Sequence, residues 1–122
     1  MDTTNVAATT TETVANVIAV KTIKAFTRPV TGSDGKKVEK IFVAINDLPA
    51  TSIDNVVAGA ATAIMSIAQS LYGVDGLNVV LASAIGKDAE VTIDDEYIES
   101  IDIKGVDIDA MKSNLMFFKT MM

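Results

Sequence analysis

The chain has 122 residues, no Cys, His or Trp, and 10 Lys and Arg against 16 Asp and Glu, for a net charge of −6 and a pI near 4.4. Without Cys there is neither a disulfide framework nor a thiolate metal site, and without His the commonest general base and transition-metal ligand is missing. The length suits one domain with a real core, and the acidic balance disfavours a nucleic-acid partner.

The hydrophobic fraction is 49% and the mean hydropathy +0.36, while aromatics are only 5%. The core must therefore be built from aliphatic side chains and Met. So much apolar surface in a small chain points to burial between subunits, because monomers expose only limited apolar patches.

Residues 1–13, MDTTNVAATTTET, lack the basic and apolar regions of a secretory leader and show no core pattern. They read as an N-terminal arm that orders on a neighbouring copy. Residues 14–122 then form a single α+β domain, with expected order ββαβββα and a mixed or antiparallel sheet.

Val14–Thr27 is rich in β-branched residues and reads as one strand, with Val17, Ile18, Ala19 and Val20 buried on both faces. Arg28-Pro29 should end it or mark an edge, since Pro has no amide donor. The run TGSDGK, 31–36, is a tight turn, with Asp34-Gly35 supplying positive φ. Lys37–Asn46 returns as a strand, with Glu39, Ile41, Val43 and Ile45 on one face and Val38, Lys40, Phe42 and Ala44 on the other.

Thr51–Gly73 reads as a central helix without a charge between Asp54 and Asp75, opened by a capping box at Thr51 and Asp54. Ile53, Val57, Ala60, Ile64 and Leu71 form its expected inner stripe, and Gly73 its left-handed stop. The small residues Ala58, Gly59 and Ala63 offer a flank that another backbone could approach closely. Val56–Val74 has the length of a bilayer crossing. It contains Thr62, Ser66, Gln69 and Ser70 and has no Lys or Arg anchor, so a buried helix is expected and no membrane.

Leu77–Ile85, apolar on both faces and uncharged, reads as a central strand. Ala89–Lys104 reads as a strand region broken at Asp94-Asp95-Glu96, with Val91, Ile93, Tyr97, Ile101 and Ile103 inward. Asp107 or Asp109 caps a final amphipathic helix, in which Met111, Leu115, Phe118 and Met122 lie on one stripe and Met116, Phe117 and Met121 widen it into surplus apolar surface.

No catalytic, cofactor or metal constellation stands out. The Gly residues make no phosphate-binding fingerprint, the Ser residues have no activating base, and the acids have no calcium-loop spacing. The strongest pattern is charge partition. Residues 14–46 hold Lys21, Lys24, Arg28, Lys36, Lys37 and Lys40 against Asp34 and Glu39, a net +4. Residues 77–109 hold nine acids, among them Asp94, Asp95, Glu96 and Glu99, against Lys87 and Lys104, a net −7. A dipolar subunit of this kind can associate head to tail.

These features imply a non-enzymatic structural subunit of a homo-oligomer. The concrete expectation is a virion protein of a bacteriophage or other virus (tail tube, capsid or capsid-decorating subunit). It would assemble with copies of itself, and with other particle proteins, through the basic hairpin and the acidic strands. The alternative is a small acidic cytoplasmic binding module or inhibitor that docks a basic protein.

Overall fold

Turn residues and β-branched runs set the first half of the chain, and the computed structural model describes residues 13–121. The expected arm, apart from Thr13, lies outside the described residues. The strands are β1 (Thr13–Ala19), β2 (Ile23–Thr31), β3 (Lys37–Ile45) and the short β4 (Thr51–Ser52) and β5 (Val56–Val57), the last two flanking a 3-10 turn at Ile53–Asn55. Helix α1 (Thr62–Leu81) runs into a second 3-10 turn, Ala82–Ala84. The hairpin β6 (Asp88–Asp94) and β7 (Tyr97–Lys104) follows, and α2 (Ile108–Met121) ends the described chain.

The fold is a small α+β domain with two sheets. One has the order β1-β6-β7-β5, antiparallel except for the parallel pair β5/β7, and the other is the antiparallel β2-β3-β4. They are joined where the buried Thr51 hydroxyl of β4 donates to the Ile98 carbonyl of β7 at 2.9 Å. A single core gathers Val20, Ala25, Val43 and Ile45 with Met65, Leu77, Leu81, Val91, Ile101 and Met111.

The expected single strand Val14–Thr27 is two strands in two different sheets. The switch is at Val20, whose amide donates to the Lys87 carbonyl and whose carbonyl accepts from the Gly86 amide, both at 2.8 Å. Asn46 then holds the chain as it changes direction. Its Oδ1 accepts from the Lys21 and Thr22 amides at 2.8 and 3.1 Å, and its Nδ2 donates to the Ala19 carbonyl at 3.0 Å. The apolar run around Val17–Val20 marks this change of sheet and not burial on both faces, since Val17 is 66% exposed.

The hairpin of β2 and β3 forms with the expected faces, and Thr31–Lys36 turns as read. Pro29 does not end β2. It stands at an outer-edge position, where a missing amide costs no ladder bond.

Thr51–Gly73 is not one helix. Thr51 is spent on Ile98, and Ser52 caps only the 3-10 turn, its Oγ accepting from the Asp54 amide. The α-helix begins at Thr62, whose hydroxyl accepts from the Ala58 amide at 2.7 Å. The expected inner stripe is displaced as a result. Ala61, Met65 and Ala68 are buried, while Val57 and Leu71 are exposed.

Leu77–Ile85 is not a strand, for the helix resumes. Gly73 (φ +65°, ψ −146°) redirects the axis. Gly76 then lies so close to the previous turn that a Cβ would come within 2.7 Å of the Ala68 carbonyl and the Tyr72 Cβ. The stretch Gly59–Ala84 has the length and apolarity of a bilayer crossing, and Gly73 divides it. Its second half is pinned to β2 by Asn78, whose side-chain amide accepts from the Ala25 amide at 2.7 Å and donates to the Ala25 carbonyl at 2.8 Å.

In β7 the pairing register slips between Ile93↔Ile98 and Thr92↔Ser100, leaving Glu99 as the extra residue of a bulge. The bulge explains how Ile98 and Ile101, three apart, both face the core. Tyr97, expected inward, is exposed for the same reason. Helix α2 is capped by Asp107, whose Oδ1 accepts from the Asp109 and Ala110 amides at 2.9 and 3.2 Å.

Candidate assembly interface

Alternation along β2 and β3 places Ala25, Val43 and Ile45 in the core and sends Lys24, Phe26, Arg28, Lys40 and Phe42 to the opposite face. Beyond Phe26 and Ile41 the two strands lose burial on both faces, so the hairpin projects from the core with Lys36 and Lys37 near its tip. Arg28 sits directly opposite Lys40, a like-charge pair. Its guanidinium lies over the Phe26 ring at 5.3 Å and the Phe42 ring at 4.9 Å, two rings that themselves pair across the strands. Lys21 stands apart, exposed in the β1–β2 connection.

The acidic region is built in the same way on the other sheet. Asp94, Asp95 and Glu96 form the β6–β7 turn, with Asp95 at φ +59°, and Glu99 protrudes at the bulge. Three more of the nine acids counted from the sequence, outside the candidate interface residues, join them. Asp88, Glu90 and Asp102 fall on the outer face, opposite the one that carries Ala89, Val91, Ile101 and Ile103. Their signal was the i, i+2 spacing of Asp88, Glu90, Thr92 and Asp94. Glu90 lies directly opposite Asp102, again a like-charge pair.

Among the described residues the one ion pair is Lys104 Nζ to Asp102 Oδ2, at 2.7 Å. The hydrogen bond to Asp102 raises the Lys104 pKa; desolvation works against it, and the fields of Asp102 and Glu90 add to the rise. The ammonium bonds Asp102 alone, and Glu90 feels only its field. The cations of the hairpin have no carboxylate within 4 Å among the described residues.

The small-residue flank is not a helix face. Ala58 is 6% exposed and belongs to the chain's own core, and Gly59 sits in the turn before α1. Ala63 is exposed in the first turn of α1, on an outer face with Ile67, Ser70 and Leu71 that carries no charge. Phe117 and Met121 are 67% and 69% exposed and line an open apolar groove of about 320 Å³ with Val79, Ala82 and Phe118.

Two smaller depressions of about 220 and 270 Å³ adjoin each other at Ile53, Asp54 and Gln69. Both are smaller than the usual range for small-molecule sites, about 300–1,000 Å³. Among the described residues no three acids cluster closely enough to hold a metal ion. Comparison with protein-family profiles, with curated proteins and with solved structures finds no match to this chain.

Proposed function

We propose that the chain is a non-enzymatic structural subunit of a homo-oligomeric assembly, a virion protein of a phage or other virus. The projecting basic hairpin of one copy docks on the acidic outer sheet face of the next. The observation that carries this reading is the matched pair of like-charge ladders, Arg28 opposite Lys40 on one sheet and Glu90 opposite Asp102 on the other. Like charges set directly across a strand pair are destabilising in an isolated sheet. A head-to-tail contact that brings the two ladders together offsets both penalties. Such a contact is heterologous and closes into a ring or propagates as a tube or shell.

The uncharged outer face of α1 and the exposed Phe117 and Met121 support the same reading, as apolar surface for subunit contacts. The test is mass in solution over a wide concentration range, with electron micrographs of the same material. The expected result is a concentration-dependent oligomer that the triple reversal K36E/K37E/K40E reduces to monomer. A wild-type chain that stays monomeric, with no particles in micrographs, would sink the proposal.

A further inference from the structure

We propose that two copies of the chain pair through the outer face of α2, antiparallel across a two-fold axis. The inference rests on the homo-oligomer reading above and adds an isologous contact to the head-to-tail one. Helix α2 turns Met111 into the core. Successive residues of a helix turn by about 100°, so Ser113, Phe117 and Thr120 fall on the far side from Met111. All three are exposed. The exposed Met121 and the half-buried Ala110 border the same face, which carries no charge. The Thr120 hydroxyl donates back to the Phe117 carbonyl at 2.7 Å, so it is satisfied within the helix.

This face carries its own complement. Its N-terminal half has the small Ala110 and Ser113, and its C-terminal half has Phe117 and Met121, 67% and 69% exposed. Run antiparallel, a second α2 sets Phe117 over Ser113 and Met121 over Ala110. Run parallel, it would set bulk on bulk and leave a gap at the other end, which close packing excludes. The charges follow the same rule. Asp109 stands in the first turn and Lys119 in the last, both on one side of the face. Neither has a counter-ion within 4 Å among the described residues. Antiparallel pairing about a point near residue 115 brings each Asp109 beside Lys119 of the other copy. Parallel pairing sets like charge against like.

A small ligand is the poorer occupant. The groove beside Phe117, about 320 Å³, is lined by Val79, Ala82, Phe118 and the Asn114 amide, which already donates to the Ser83 hydroxyl at 2.9 Å. It offers little to orient a polar molecule, as small-molecule sites do. The strength of the pair follows from its size. Helix α2 has 14 residues. A strip about 21 Å long and ~10–12 Å wide falls well short of the ~800 Å² per partner of a standard interface. The pair is therefore weak alone: it escapes mass measurement in K36E/K37E/K40E, and covalent capture reveals it.

The test is disulfide capture, which a chain without Cys makes clean. Chains carrying Ala110→Cys and Met121→Cys are oxidised separately and mixed at high concentration, in the wild-type and K36E/K37E/K40E backgrounds. In the antiparallel pair like positions lie about 16 Å apart along the axis, beyond the ~7 Å Cα limit of a disulfide. The product joining 110 to 121 should therefore exceed both self-linked products at least about tenfold, in both backgrounds. Phe117→Asp, at an exposed site and with the fold checked by circular dichroism, should reduce it to their level. Lys119→Asp, which sets acid against Asp109, should lower it less. Self-linked products equal to the mixed one, or a mixed product that Phe117→Asp leaves unchanged, would overturn the inference. A wild-type chain that assembles without the mixed product overturns this inference alone. A mixed product from a chain that never grows past a pair overturns the head-to-tail contact alone.

Discussion

The two sheets of this domain carry the same local fault, like charges facing each other across neighbouring strands, and they relieve it by different means. In the β2–β3 hairpin the Arg28 guanidinium is spread over the faces of Phe26 and Phe42, which leaves Lys40 and the tip lysines without a counter-ion among the described residues. In the β6–β7 hairpin a single Lys104 bonds Asp102 and leaves Glu90 and the turn acids in excess. An aromatic face attracts a cation without cancelling its charge, and one ammonium cannot neutralise two carboxylates. Both remedies relieve the local repulsion and leave the two hairpins oppositely charged.

The comparison can be broken or sharpened by substitution. The largest effect is expected in the shared core. Leu77 is fully buried in the second half of α1, and Leu77→Ala should cost about 2–5 kcal/mol in denaturant unfolding. A cost within experimental error would mean that 77–81 does not pack as helix. Next comes the contact that pins α1 to β2. Asn78→Ala strands the amide and carbonyl of buried Ala25, for a loss of about 1–3 kcal/mol. The same change should speed exchange of the Ala25 amide before the rest of β2.

Smaller effects separate the two remedies. Arg28→Ala removes the cation–π contacts and should destabilise by about 0.5–1 kcal/mol, less the relief of repulsion with Lys40. Glu90→Thr removes one of two facing acids and should stabilise the isolated subunit by about 0.2–1 kcal/mol while weakening assembly. Loss of stability there would show that Glu90 has a favourable partner. The smallest effect is on Lys104. Its pKa is raised in the folded state, so what it contributes is fully present below the ordinary lysine value and is lost as pH rises through the raised one. Asp102→Asn should bring its titration, followed by NMR, back toward the ordinary value.

Much of this architecture could be read from local chemistry, and the rest fails for identifiable reasons. The Thr31–Lys36 turn, the faces of β3, the break at Asp94–Glu96 and the Asp107 cap all depend on residues within a few positions of one another, and they are found as read. Leu77–Ile85 carries no polar periodicity, so its pattern could not separate a buried strand from a buried helix. Gly73 reads as a helix stop. In the fold, Gly73 redirects the helix, and Gly76 lets its two halves touch.

Thr51 and Asp54 resemble a capping box, but the Thr51 hydroxyl serves a carbonyl 47 residues away, a tertiary use that no local window contains. Asn78 was visible only as a lone amide in an apolar run. Of the candidate interface, the segregation of charge was legible from composition along the chain. The facing of Arg28 with Lys40 required the register of one hairpin, and that of Glu90 with Asp102 required the bulge at Glu99 as well.

The most direct test is a charge swap between the two ladders, read as mass in solution. R28E/K40E and E90K/D102K should each abolish assembly, because each sets like charge against like at the head-to-tail contact. A chain carrying all four changes should recover the wild-type mass, since the attraction is restored with its sign inverted. If either pair alone assembles as the wild type does, or if the combined chain stays monomeric while folded, the two ladders do not meet and the account of the assembly is wrong.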